Sequence, residues 1–249
     1  MAQRRKARGL IAALAALTLA GCGADRANRI ASNAQPELGL FTSLPVYWPE
    51  APDISSFLEA DAEPHWARQL LERTYQLVPL DVLSEQSLSA LDQVLIAQPR
   101  PFAPEENVAL DDWVRAGGRA LILADPMLVQ HSIFPIGDKR RPQDVVLLSP
   151  ILARWGLALQ FDEAQPEGRR LVEGGGAAIP VDLAGSLVAT TTGHQSACSI
   201  SHGGLIAKCR IGEGRVEIVA DADLLDSEPD AQATRAFAVL VETAFPGIR

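Results

Sequence analysis

Arg119 to Ala124, RALILA, is an almost uninterrupted apolar run entered from Gly117-Gly118, and it constrains the fold more than any other stretch of the chain. A short run of this kind reads as a strand buried on both faces, which occurs in parallel sheets covered by helices. The flanks agree. Pro104-Glu105-Glu106 opens a helix with acids in its first turn, the pattern continues to Arg115, and the glycine pair stops it. From Leu38 onward, short apolar runs alternate with amphipathic segments. Strands are expected at 39–42, 75–80 and 93–97, a helix at 64–74, and a short helix or loop at 83–91. Strand, helix, strand with right-handed crossovers gives a doubly wound, mostly parallel α/β sheet with flanking helices.

The second half is less regular. A helix is expected at 149–155 and a strand at 157–161, while 163–192 is rich in Gly, Pro and Ala and carries short β-type runs. Cys198 to Arg210 reads as a β-hairpin appendage. With Gly203-Gly204 as a two-residue turn, His202 faces Leu205, and counting outward sets Cys198 opposite Cys209. An opposed pair in an antiparallel ladder lies within disulfide reach. Two free thiols, or a zinc site with His194 and His202, are the other readings, the zinc one lacking any tight ligand spacing. Gly214 to Asp223, GRVEIVADAD, is the last strong strand. A helix over 230–243 closes the chain, with Ala233, Phe237, Leu240 and Val241 on one face.

The amino end is of another kind. Arg4, Arg5, Lys6 and Arg8 precede an apolar run from Leu10 to Ala20, too short to span a bilayer comfortably. The run stops at Leu19-Ala20-Gly21-Cys22, which resembles the bacterial lipobox, where the cysteine takes a lipid and becomes the new N-terminus. Residues 1–21 are therefore expected to be a lipoprotein signal peptide, Cys22 the lipidated (diacylglycerol and palmitate-type) residue, 22–37 a flexible tether, and 38–249 one α/β domain with a β-rich insertion at about 163–210. Sec export fits better than a twin-arginine route. Gly23 after the cysteine favours the outer over the inner membrane, on the periplasmic side.

From Cys22 onward, 18 Lys+Arg face 31 Asp+Glu, a net charge of about −13. That argues against nucleic acid and against anionic headgroups as partners bound through bulk charge. No cofactor motif and no metal motif stands out.

PFAPEENVALDDWVRAGGRALILADPM together with GEGRVEIVADADLLDSE resembles the soluble, glutamine-amidotransferase-like (flavodoxin-like) domain of GldG-type ABC-transporter auxiliary proteins, over about residues 38–245. The resemblance implies a role beside a transporter. The family's hydrolytic relatives carry a Gly-x-Cys-x-Gly elbow, whereas Ala124-Asp125-Pro126-Met127 stands here without a thiol. GldG-type proteins set this domain beside transmembrane helices; here a lipid would replace them.

In open α/β sheets, ligands bind beyond the carboxyl ends of the strands at the switch point. The residues expected there are Ser43, Gln98, Arg100, Asp125, Asp221 and Asp223, with Tyr47 and Trp48 as a stacking surface for a sugar or peptide ring. The stretch from Met127 to Val146 is long for a connection and reads as a binding loop or mobile flap, with Lys139-Arg140-Arg141 as a docking patch or a solvated charge run. These features lead to a lipid-anchored, non-catalytic envelope protein that serves a transporter or envelope complex. A hydrolase using Asp125, Asp221 or Asp223 as acid and base, and a purely structural scaffold, are the alternatives.

Overall fold

The computed structural model describes residues 35–53, 55, 63–174, 176–226, 228 and 230–246. The expected signal peptide, Cys22 and the tether up to residue 34 lie outside the described residues.

Seven strands form the main sheet: β1 (Glu37–Thr42), β2 (Gln76–Pro79), β3 (Gln93–Ala97), β4 (Arg119–Leu123), β9 (Ser196–Ser201), β10 (Ile206–Ile211) and β11 (Gly214–Val219). Their order is β2-β1-β3-β4-β11-β10-β9. The first five are parallel, and β10 and β9 continue the sheet as an antiparallel edge. Smaller pairs are formed by β5 (Leu157–Gln160) with β8 (Ser186–Ala189) and by β6 (Arg170–Gly174) with β7 (Ala177–Val181). The hairpin expected as an appendage is thus continuous with the central sheet, and the β structure standing apart is β5–β8.

The central strands are buried because they must be. Every residue of β3 is buried, as are Ala120 to Leu123 of β4, with a helix layer on either side. Helices α1 (Trp66–Glu72) and α5 (Ala231–Ala244) pack together, with the Trp66 and Phe237 rings edge to face at 5.8 Å. Asp230 caps α5 by accepting from the amides of Gln232 and Ala233, and Ala233, Ala236, Phe237, Leu240 and Val241 form its buried face. The second helical group is α2 (Glu85–Leu88), α3 (Pro104–Arg115) and α4 (Ser149–Arg154). Proximity of α3 to β11 requires glycine at position 214, where a Cβ would stand 2.0 Å from the Val114 carbonyl oxygen.

Several elements are shorter than the sequence pattern suggests. Pro64 precedes α1 instead of opening it, because the His65 side chain takes the cap and accepts from the Ala67 amide. The segment at 83–91 holds one helical turn, capped by Ser84. In the hairpin, Gly203 and Gly204 adopt left-handed φ of 67° and 97°, and Cys198 and Cys209 are opposed and disulfide-bonded, Cα atoms 4.0 Å apart.

Candidate functional site

Chain order reverses between β1 and β3, so the switch point lies beyond Thr42 and Ala97. A cleft of about 420 Å³ opens beside the end of β1, lined by Ser43, Tyr47, Trp48, Glu50, Phe134 and Arg140 among others. Tyr47 and Trp48 meet edge to face at 4.8 Å, and Trp48 is 58% exposed. The Arg140 guanidinium lies 4.2 Å from the centre of the Phe134 ring. An aromatic wall with mixed charge at its rim can stack and orient a planar or ring-shaped group.

The polar strand-end residues behind that cleft bond to each other. Gln98, fully buried at a left-handed φ of 41°, accepts from the Asp125 amide at 2.8 Å and donates to the Asp125 carbonyl at 3.0 Å and the Gln143 carbonyl at 2.7 Å. Ser43 Oγ donates to the Gln98 carbonyl and accepts from the Gln143 amide at 3.0 Å. One side chain, Gln98, therefore extends the ladder between β3 and β4 past its end. Its left-handed backbone is the cost of aiming that carboxamide inward.

Asp125, Asp221 and Asp223 come together at the ends of β4 and β11. Asp125 Oδ1 accepts from the Met127 amide at 2.8 Å and Oδ2 from the Ala222 amide at 3.3 Å. Asp221 accepts from the amides of Asp223 at 2.8 Å and Asp182 at 3.2 Å. Asp125 and Asp221 are wholly buried. Burial, and then repulsion from Asp223 and Asp182, pushes the Asp125 carboxyl up to about 7 against the pull of its two amide donors. Burial with the charges of Asp125 and Asp223 raises Asp221 further, and burial with Asp226 and Asp182 lifts Asp223 to about 6.

Arg100 is drawn the other way. It pairs at both nitrogens with Glu106, at 2.7 and 2.8 Å, and donates to the Asp81 carbonyl while resting over the Phe41 ring. Glu106 also accepts from the amides of Ala103 and Leu83, so it closes the start of α3 from inside. The Arg100 hydrogen bonds hold Glu106 down at about 2 despite its burial.

The 127–146 connection is ordered and fastened, which differs from a mobile flap. Its ends are tied by the Leu128 amide to the Asp144 carbonyl and the Val146 amide to the Asp125 carbonyl. Its middle is held by Glu50, which accepts from Ser132 Oγ and the Ile133 amide. Arg140 pairs with Asp138 and Arg141 with Asp144, so the basic triplet is largely neutralised locally.

Besides Glu106, the sequence reading missed two buried carboxylates. Asp111, on α3, accepts from Arg115, Arg154 and the Trp155 indole, and these donors outweigh burial to keep it low. The available signal was an acid set between Leu110 and Val114 on an apolar face. Glu217 in β11 pairs across the ladder with Lys208 at 3.1 Å. Among the described residues no group of His, Cys, Asp and Glu could hold a metal ion.

Residues 35–168 match the family described as an ABC-type uncharacterized transport system, the ABC transport auxiliary family. The chain belongs to this family. The match covers four of the five parallel strands, β1 to β4, with the switch point and the fastened connection, and leaves out β11. The comparison with curated proteins found no match. Among solved structures, the chain is similar to an exo-beta-1,4-mannosidase from Opitutaceae bacterium strain TAV5, at 14% identity and TM-score 0.49, covering 88% of this chain and 38% of that one. It is similar to the N-terminal domain of mmIFT52 at 13% identity and TM-score 0.49, covering 86% and 98%. A cytoplasmic protein from Salmonella typhimurium LT2 is similar at 11% identity and TM-score 0.44, covering 84% and 99%. The chain thus spans little more than a third of the mannosidase, and likenesses this distant carry no functional argument for a transport auxiliary protein.

Proposed function

We propose that this transport-system protein is a lipid-anchored, non-catalytic binding or assembly subunit of GldG type, held by Cys22 on the periplasmic side of the envelope, the outer membrane being favoured by Gly23. The observation that carries the reading is the commitment of Gln98, Asp125, Asp221 and Arg100 to partners inside the fold. Groups so engaged rigidify the carboxyl edge of the sheet and leave its outer surface to do the recognition. Burial of Asp125 and Asp221 also weighs against the hydrolase alternative, since an acid and a base must reach the reacting atoms.

The test is isolation of the transport system's permease from membranes that contain either the wild-type chain or Cys22→Ser. Mass spectrometry of the wild-type chain should show a mature terminus at Cys22 with acyl chains, and the permease should bring the chain down. An unmodified Met1, or a permease that never carries the chain, would refute the reading.

A further inference from the structure

β9 ends the sheet, and only one of its two edges carries a ladder. The Cα atoms of Cys198 and Cys209 are 4.0 Å apart, near the roughly 4.5 Å of an opposed pair that exchanges no hydrogen bonds and well below the roughly 5.5 Å of one that does. Cys198 therefore turns its N–H and C=O away from β10, and so do Ser196 and Ile200, which share its phase in the register opposite Ile211 and Ala207. Among the described residues these outward backbone groups have no hydrogen-bond partner. The edge presents three donors and three acceptors in a row.

Natural sheets guard such an edge with charge, proline or brevity. The opposite edge, β2, is four residues long and ends in Pro79. β9 has six residues, Ser-Ala-Cys-Ser-Ile-Ser, with neither proline nor charge. It is also stiff, being bridged to β10 by the disulfide and tied by Ser196 Oγ to the Trp155 carbonyl at 2.8 Å. Adding a strand there orders little that is not already fixed.

The side chains beside the edge select what is added. Lys208 stands opposite Glu217 and Arg210 opposite Arg215, on the face that carries Ala197 and Ser199. Lys208 pairs with Glu217 at 3.1 Å, whereas no acid among the described residues pairs with Arg210 or Arg215, and like charges opposed across a ladder repel. A cleft of about 450 Å³ lies here, its wall holding those three bases against one acid. Ala197 and Ser199 are small, so Lys208 and Arg210 can extend across them toward acids on a strand beside β9, two strand spacings or about 10 Å from β10. On the other face an added strand meets the half-buried Cys198 and Ile200, which suit apolar residues.

We propose that β9 is a strand-addition site for an extended segment of a partner protein in which acidic residues alternate with apolar ones. The added strand bonds to the outward groups of Ser196, Cys198 and Ile200 and sets its acids toward Lys208 and Arg210. A second copy of β9 does not meet this description, because it carries no acid. The inference goes beyond the binding role proposed above and needs neither the lipid nor the permease.

The experiment uses the full-length chain carrying Cys22→Ser and a blocked peptide in which Glu and Val alternate. In the free chain the amides of Ser196, Cys198 and Ile200 should exchange with deuterium fast and those of Ala197, Ser199 and Ser201 slowly; the peptide should protect the first three. A peptide with Lys in place of Glu, and one N-methylated at alternate amides, should each bind at least about tenfold more weakly. Ile200→Pro removes an outward N–H and no ladder bond, so it should abolish binding with little change in melting temperature. Arg210→Glu, which relieves the repulsion from Arg215, should keep the fold and weaken binding at least about fivefold. Equal affinity for the Glu and Lys peptides, or for the N-methylated one, overturns the inference. So does slow exchange of the three outward amides in the free chain, which would mean a covered edge. Displacement of the peptide by millimolar phosphate without protection of those amides overturns it in favour of a small-anion site, and a dimer in sedimentation that Ile200→Pro dissociates overturns it in favour of a second copy.

Discussion

The carboxamide of Gln98 forms a two-way bond with the backbone of Asp125, accepting from its amide at 2.8 Å and donating to its carbonyl at 3.0 Å. A side chain thereby copies a peptide group and carries the sheet one step beyond the last residues of β3 and β4.

Removing that group should be expensive. Gln98→Ala leaves a buried amide and two carbonyls without partners, a loss of about 2–3 kcal/mol, read as a fall of roughly 5–10 °C in melting temperature. Gln98→Met keeps the length and removes the bonds, so it should cost nearly as much. A silent methionine variant would show that packing, and not hydrogen bonding, matters at this position.

Stability should fall as pH rises from 4 toward 7. Asp125 and Asp223 titrate at about 7 and 6 in the fold, above the ordinary 3.8, so the folded chain holds protons that the unfolded chain has released in that window. Their contribution is complete below about pH 4 and lost as pH passes 7. Melting temperature at pH 5 should exceed that at pH 8 by about 5 °C, and Asp125→Asn should flatten the dependence. An equal slope in the variant would remove Asp125 from this account.

Glu106 acts with the opposite sign at lower pH. Its carboxyl sits at about 2 against the ordinary 4.5, chiefly because Arg100 hydrogen-bonds to it, so its contribution is present above pH 4.5 and is lost as pH falls toward 2. Stability measured across pH should therefore peak near pH 4–5. Arg100→Ala should cost about 2 kcal/mol, less than a fully buried pair because Arg100 is 41% exposed. Changing Glu106→Gln in the same chain should recover part of that loss, and chemical denaturation of the two variants beside wild type would measure it.

Reducing the Cys198–Cys209 bridge, which closes a loop of sequence separation 11, should lower stability by about 2–3 kcal/mol. Denaturation with and without dithiothreitol, set beside Cys198→Ser/Cys209→Ser, checks this. The double variant should be insensitive to the reductant.

Local pattern sufficed wherever one residue run decided one element. RALILA and GRVEIVA are strands because nothing else buries such runs, and the glycine pair at 203–204 set the cysteine register through turn geometry alone. What stayed hidden depends on distant partners. Pairing of β5 with β8 joins segments separated by a full additional hairpin, and no local signal fixes it. Gln98 looks like any polar residue after a strand, and its role emerges only when Asp125 and Gln143 arrive. In the 127–147 segment Gln130 and Ser132 are buried while Val129 and Ile133 are exposed, so polarity could not tell its seated face from its exposed one.

β11 is made after β9 and β10, yet it lies between β4 and β10. Among the described strands the last in sequence thus fills the middle of the sheet, a keystone between its parallel and antiparallel parts. Without it β4 and β10 share no ladder, so loss of the segment from Gly214 would leave the parallel and antiparallel parts of the sheet unjoined.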